Sequence, residues 1–100
     1  MADSPIKKRL KDARIAAGLS QKSLGIAADI DEFSASARMN QYETGKHTPD
    51  YSMLKRIAKV LKLPAAYFYA ESDELALLIK LFSNLKKADR TTLLQQLADI

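Results

Sequence analysis

The sequence predicts an all-α fold of seven short helices, and three observations carry that prediction. Apolar residues recur three and four positions apart through most of the chain, the spacing of one helix face. Most of these stretches open on a good N-cap residue (Ser4, Ser20, Ser36, Asp50, Asp73, Asp89) and stop at Gly18, Gly45 or Pro64. The third is an absence: there is no cysteine, and no apolar run nears the roughly 18 residues needed to span a membrane. One hundred residues suffice for a single buried core without disulfide staples.

The first helix opens at Ser4-Pro5, a serine cap followed by proline at the first helical position. Ile6, Leu10, Ala13 and Ala17 mark its buried face, and Gly18 supplies the left-handed residue that stops it. Its polar face carries Lys7, Lys8, Arg9, Lys11 and Arg14, opposed only by Asp12. Ser20 caps a second helix that continues through Gln21, with Leu24, Ala27 and Ala28 inward. Gly25 inside it costs up to ~1 kcal/mol relative to alanine, which close backbone packing would explain. Residues 29–36 form an acidic, then serine-rich connection, with Ile30 or Phe33 tucked beneath it. Ser34 and Ser36 both suit the next N-cap. Ser36 is favoured, giving a third helix from Ala37 to Thr44 with Met39 and Tyr42 inward. Gly45 ends it, and Lys46-His47-Thr48-Pro49 form a tight basic loop.

Asp50 caps a fourth helix with a buried stripe of Leu54, Ile57, Ala58 and Leu61 and a basic face of Lys55, Arg56, Lys59 and Lys62. Pro64 breaks it and starts a short fifth helix with Phe68 as its core residue; Tyr67 and Tyr69 read as packing residues. Asp73 is the expected cap of a longer sixth helix over residues 74–87. There Leu75, Leu78, Phe82 and Leu85 form a stripe that Leu77, Ile79 and Leu81 widen. Asp89 is the expected cap of the last helix, with Leu93, Leu94 and Leu97 apolar. So apolar a sixth helix calls for burial on more than one side, which residues 1–70 cannot easily provide. Residues 1–70 are therefore expected to form one domain. Residues 71–100 are expected to be a helical extension that dimerises through Leu75, Leu78, Ile79, Phe82, Leu85, Leu93, Leu94 and Leu97.

Charge divides the chain in the same way. Residues 1–62 carry twelve Lys/Arg against seven Asp/Glu, and residues 63–100 four against five. A basic first part suits a polyanion, although ordinary solvated surface charge accounts for the same excess. Catalysis finds little support. His47 is the only histidine, and Asp50 beside it is better explained as a helix cap than as its partner. Asp31-Glu32 and Asp73-Glu74 sit where helix N-termini favour negative charge. There is no glycine-rich phosphate loop and no metal-ligand cluster. The expectation is a non-enzyme with no metal or cofactor. The N-terminus MADSPIKKRL lacks the apolar region of a secretory signal, so a cytoplasmic, non-membrane protein is expected.

Gly18 to Pro49 thus reads as two short helices joined by a connection, the second ending in Tyr42-Glu43-Thr44-Gly45-Lys46. With Arg14 four residues before Gly18-Leu19-Ser20-Gln21, then Leu24, Met39, Pro49, Leu54-x-x-Ile57-Ala58-x-x-Leu61 and Tyr67-Phe68, residues 6–69 resemble the Cro/cI-type (Xre-like, lambda-repressor-like) helix-turn-helix transcriptional regulators. That resemblance implies a five-helix DNA-binding domain whose third helix enters the major groove. It implies that Gln21, Lys22, Thr44, Lys46 and His47 meet phosphates, and that Arg14 pairs with Glu43 to tie the first helix to the recognition helix. It places Ser36, Ala37, Arg38, Asn40 and Gln41 at the bases. Their chemistry suits this: Arg38 can donate a forked pair to guanine, Asn40 or Gln41 can pair with adenine, and Ser36 and Ala37 can meet a thymine methyl or a backbone oxygen. A contact of Arg38 with phosphate alone remains the plainer alternative.

Two departures from the family pattern stand out. The connection between second and third helices is about four residues longer than the family's short turn, with Asp29 near the place of its glycine. Gly25 stands where the family usually has alanine. The expected function is a homodimeric, sequence-specific regulator of transcription on double-stranded DNA, most simply a repressor of an inverted-repeat operator. Two alternatives share the fold: an antitoxin whose C-terminal helices bind a toxin, and a protein-interaction module without DNA binding.

Overall fold

Each of the seven expected helices is present, with different bounds at several ends, in the computed structural model, which describes residues 4–100. The helices are α1 (Ile6–Ala16), α2 (Gln21–Ala27), α3 (Ala35–Thr44), α4 (Tyr51–Leu61), α5 (Ala66–Tyr69), α6 (Asp73–Ser83) and α7 (Lys87–Ala98). There is no strand among the described residues. The fold is all-α.

The core is built from α1 to α5. Leu10, Leu24, Met39, Leu54, Ile57 and Phe68 are fully buried there, one large side chain or two from each helix. The Tyr67 ring meets Phe68 edge-on, with centroids 5.3 Å apart. Two expected caps form as the sequence suggests. Ser20 Oγ accepts from the Ser23 amide at 3.0 Å, and Asp50 Oδ1 accepts from the Met53 amide at 2.8 Å. At the start of α1 the Ser4 hydroxyl accepts from the Ile6 amide at 3.3 Å.

Several expectations are corrected. Ala17 lies beyond the end of α1 and is exposed, as is Ala27, because Ala28 takes the inward position where α2 closes. Arg9 belongs to the buried face of α1 rather than the solvated one, only 4% exposed. Helix α3 begins at Ala35, not Ala37. Ser34 occupies the cap position without a side-chain bond, and Ser36 lies inside the first turn. The chain is already turning there, since the Asp31 carbonyl accepts from the Ser34 amide and its carboxylate from the Phe33 amide, each at 3.0 Å. Ile30 is the residue tucked under this connection, and Phe33 is 90% exposed. Asp29 takes the left-handed conformation (φ 68°) in this connection, and aspartate is one of the few non-glycine types that tolerate it.

In the C-terminal part, Ser72 rather than Asp73 caps α6, its hydroxyl accepting from the Leu75 amide at 3.0 Å. The helix stops at Ser83, leaving Leu85 in the turn, and α7 opens at Lys87 with Asp89 in its first turn rather than at its cap. Ala76 is the buried residue of α6, and α7 buries none. Tyr69 is also about half exposed rather than fully packed. No helix among the described residues is long and apolar enough to cross a membrane.

Candidate nucleic-acid interface

Helix α2 lies directly across α3, and Gly25 permits it. A methyl group at Gly25 would sit 2.8 Å from the Ala35 Cβ and 3.0 Å from the Ala35 carbonyl oxygen, closer than carbon atoms approach. The glycine therefore reflects contact between the two helix backbones, and the missing Cβ fixes how near they come.

Buried and exposed positions then alternate around α3 with helical period. Ala35, Met39, Tyr42 and Glu43 face the core, while Ser36, Ala37, Asn40 and Thr44 share an accessible face, with Gln41 half-buried beside them. Arg38 lies at the far edge of that face. There Arg38, Gln41 and His47 line an open recess of about 550 Å³ together with Ser52 and Arg56 from α4. The expected base-contacting residues are thus brought together on one surface.

That surface is braced from behind. Arg14 donates through Nε to Glu43 Oε2 at 2.6 Å and through Nη2 to Glu43 Oε1 at 3.0 Å, a forked pair. Its Nη1 donates to the Leu19 carbonyl at 2.9 Å, so the same guanidinium also holds the turn between α1 and α2. The Glu43 carboxylate is almost completely buried. Its hydrogen bond holds the Arg14 guanidinium above its already high value, so Arg14 keeps its charge.

Among the expected phosphate-contacting residues, Lys22, Thr44, Lys46 and His47 are exposed along the rim of this face. Gln21 is turned inward, its Nε2 donating to Asn40 Oδ1 and Glu43 Oε1, each at 3.2 Å. It joins the α2 start to the middle of α3. Gly45 adopts φ 83° to end α3, and the His47 amide then donates back to the Gln41 carbonyl at 3.2 Å. The stem of Lys7 packs against Gly45, which brings a lysine of α1 to the end of α3. Arg56 is the residue that periodicity alone placed on a general basic face. Its place beside Arg38 depends on the path of the loop 45–50, which no helical pattern encodes. Among the described residues no group of three His, Cys, Asp or Glu side chains could hold a metal ion.

The expected dimerisation residues form a second surface. Leu75, Leu78, Leu94 and Leu97 are about half exposed, and an apolar groove of about 520 Å³ runs between α6 and α7, over Ile79, Phe82 and Leu93 and up to Pro64.

No protein-family model matches this chain, and no curated protein is significantly similar to it. Among solved structures it is similar to the crystal structure of the transcriptional regulator BswR. The two share 46% identity over 95% of this chain and 94% of that one, with a TM-score of 0.88. Both the core and the C-terminal helices therefore have counterparts in that protein. With nearly half the residues shared across almost the full length of both, the chain belongs to the family of the transcriptional regulator BswR.

Proposed function

We propose that this protein is a homodimeric, sequence-specific DNA-binding regulator of the Cro/cI-type helix-turn-helix class, repressing transcription by occluding an inverted-repeat operator in the cytoplasm. The observation that carries this reading is the construction of α3. Side chains able to read base edges occupy its accessible face, and a buried forked ion pair fixes its other side. Ser36, Ala37, Arg38, Asn40 and Gln41 supply direct readout, while Lys22, Thr44, Lys46 and His47 meet phosphates and set the register. Arg56 joins the phosphate-contacting group from across the recess. Gln21 serves by exchanging one of its internal bonds for a phosphate oxygen. Residues 1–70 act as the DNA-binding domain, and residues 71–100 as the dimerisation element.

Selection of bound fragments from random double-stranded DNA tests this directly. The expected result is an enriched inverted repeat with half-sites about one helical turn, roughly 34 Å, apart. No enriched inverted repeat would overturn the reading. Binding should weaken steeply with salt, and Arg38→Ala or Gln41→Ala should relax the selected sequence. A module that binds only proteins would show neither effect.

The apolar groove between α6 and α7 favours one further reading, an antitoxin whose C-terminal helices hold an unrelated toxin. Stable co-purification of such a partner, with loss of the homodimer, would select it over the repressor.

A further inference from the structure

Arg9 is the buried cation that the DNA-binding reading leaves unused. It stands in the middle of α1 with its side chain 5% exposed, and it is spent on the junction between α5 and α6. Its Nε donates to the Ala70 carbonyl at 3.0 Å, and its Nη1 donates to Asp73 Oδ1 at 2.6 Å. Lys8 adds a second cation, its Nζ lying 2.9 Å and 3.1 Å from the two Asp73 oxygens. The hydrogen bonds from Lys8 and Arg9 hold the Asp73 carboxyl below the usual carboxylate range, so Asp73 is ionised near neutral pH. This arrangement also explains why Ser72 and not Asp73 caps α6. The aspartate is engaged with α1 instead.

What the cluster restrains is plain from what else holds α6. Ala76 is its buried residue, and its remaining large side chains are half-buried or exposed. Three residues, Ala70 to Ser72, separate the end of α5 from the start of α6, and Ala70 is extended (ψ 123°). Rotation about so short a junction would swing the whole C-terminal pair. An 11-residue helix is about 16 Å long. A swing of about 20° at its base would therefore carry its far end about 6 Å, more than the roughly 3.4 Å step of one base pair.

We propose that the Arg9–Asp73 clamp fixes the angle at which α6 leaves the core and thereby sets which half-site spacing the dimer accepts. Arg9 and Asp73 are positioning residues: they touch neither DNA nor the partner copy. The proposal rests on the dimeric DNA-binding reading, and its test separates the two. Asp73→Asn is the informative variant, because Asp73 is largely exposed and Arg9 keeps its bond to the Ala70 carbonyl, so the core should survive. The chain has no cysteine, so Lys59→Cys and Thr92→Cys accept a pair of spin labels that report the distance between α4 and α7. Dilution with unlabelled protein restricts the signal to one chain.

The expected result is a narrow distance distribution in the otherwise unaltered protein and one about twofold broader or more with Asp73→Asn. On DNA, lengthening the spacer of the selected operator by about two base pairs should weaken unaltered protein about tenfold or more. The Asp73→Asn protein should lose less than about threefold, with its affinity for the original operator little changed. An equally narrow distance distribution in the variant, or spacing discrimination as sharp as before, would overturn the proposal. Unaltered protein that binds no DNA while its distance distribution stays narrow would refute the regulator reading itself, and the spacing role with it.

Discussion

Residues 4–70 and 71–100 are both helical and both carry leucines at helical spacing, yet they use their apolar residues in opposite ways. In the first region Leu10, Leu24, Leu54 and Phe68 are completely covered by the chain's own side chains. In the second, Leu75, Leu77, Leu78, Leu81, Leu94 and Leu97 remain about half exposed, and α7 has no buried residue at all. The difference lies in whether the chain supplies the opposing face. The first region closes on itself, and the second leaves its large apolar side chains about half open to solvent.

Substitutions that probe this contrast fall in a clear order. Phe68→Ala should be the most damaging, costing about 3–5 kcal/mol in urea unfolding, because it empties a site with no exposure. Glu43→Ala should follow at about 3 kcal/mol, read as a lowered thermal midpoint, since it leaves Arg14 largely buried without its forked partner. An unchanged midpoint would mean that Arg14 reaches water and that the pair does not brace α3. Gly25→Ala should cost about 2 kcal/mol despite alanine's better helix propensity, because the added methyl must displace the Ala35 backbone. Leu94→Glu should change the stability of a single chain by no more than about 0.5 kcal/mol. It should nevertheless convert dimer to monomer in sedimentation. If Leu94→Glu unfolds the chain as Phe68→Ala does, the two regions are not distinct in the way described. Truncation after Ala70 is a poorer test of assembly than it looks from sequence, because it also strips Asp73 from the buried Arg9.

Much of this architecture was legible in the sequence because its causes are local. Ser20 and Asp50 cap helices through bonds that span three residues, and Leu54, Ile57 and Ala58 are buried by a period the chain displays openly. The Arg14–Glu43 pair was legible only through family resemblance, since 29 residues separate the partners. What escaped was of longer range or came from competition between neighbours. Arg9 looked like one more cation in a basic run, and only Asp73 and Ala70, more than 60 residues away, turn it inward. Ser36 reads as a better cap than Ser34 in the sequence, but the turn closed by Asp31 sets the start of α3 two residues earlier. Among the site residues, the accessible face of α3 followed from its period. The position of Arg56 beside it did not.

The contact between Gly25 and Ala35 has a consequence for variation. These two residues flank the long connection, one near the end of α2 and the other at the first turn of α3. Because the helices touch backbone to backbone at that point, their crossing is set at the base of the connection and not by its length. Adding a few residues to a closed loop costs only a fraction of a kcal/mol in chain entropy. The exposed tip of the connection, Glu32 and Phe33, can therefore vary while Ile30 stays in the core and the two helices keep their mutual pose. It is a place where relatives can diverge in what they touch without diverging in how they fold.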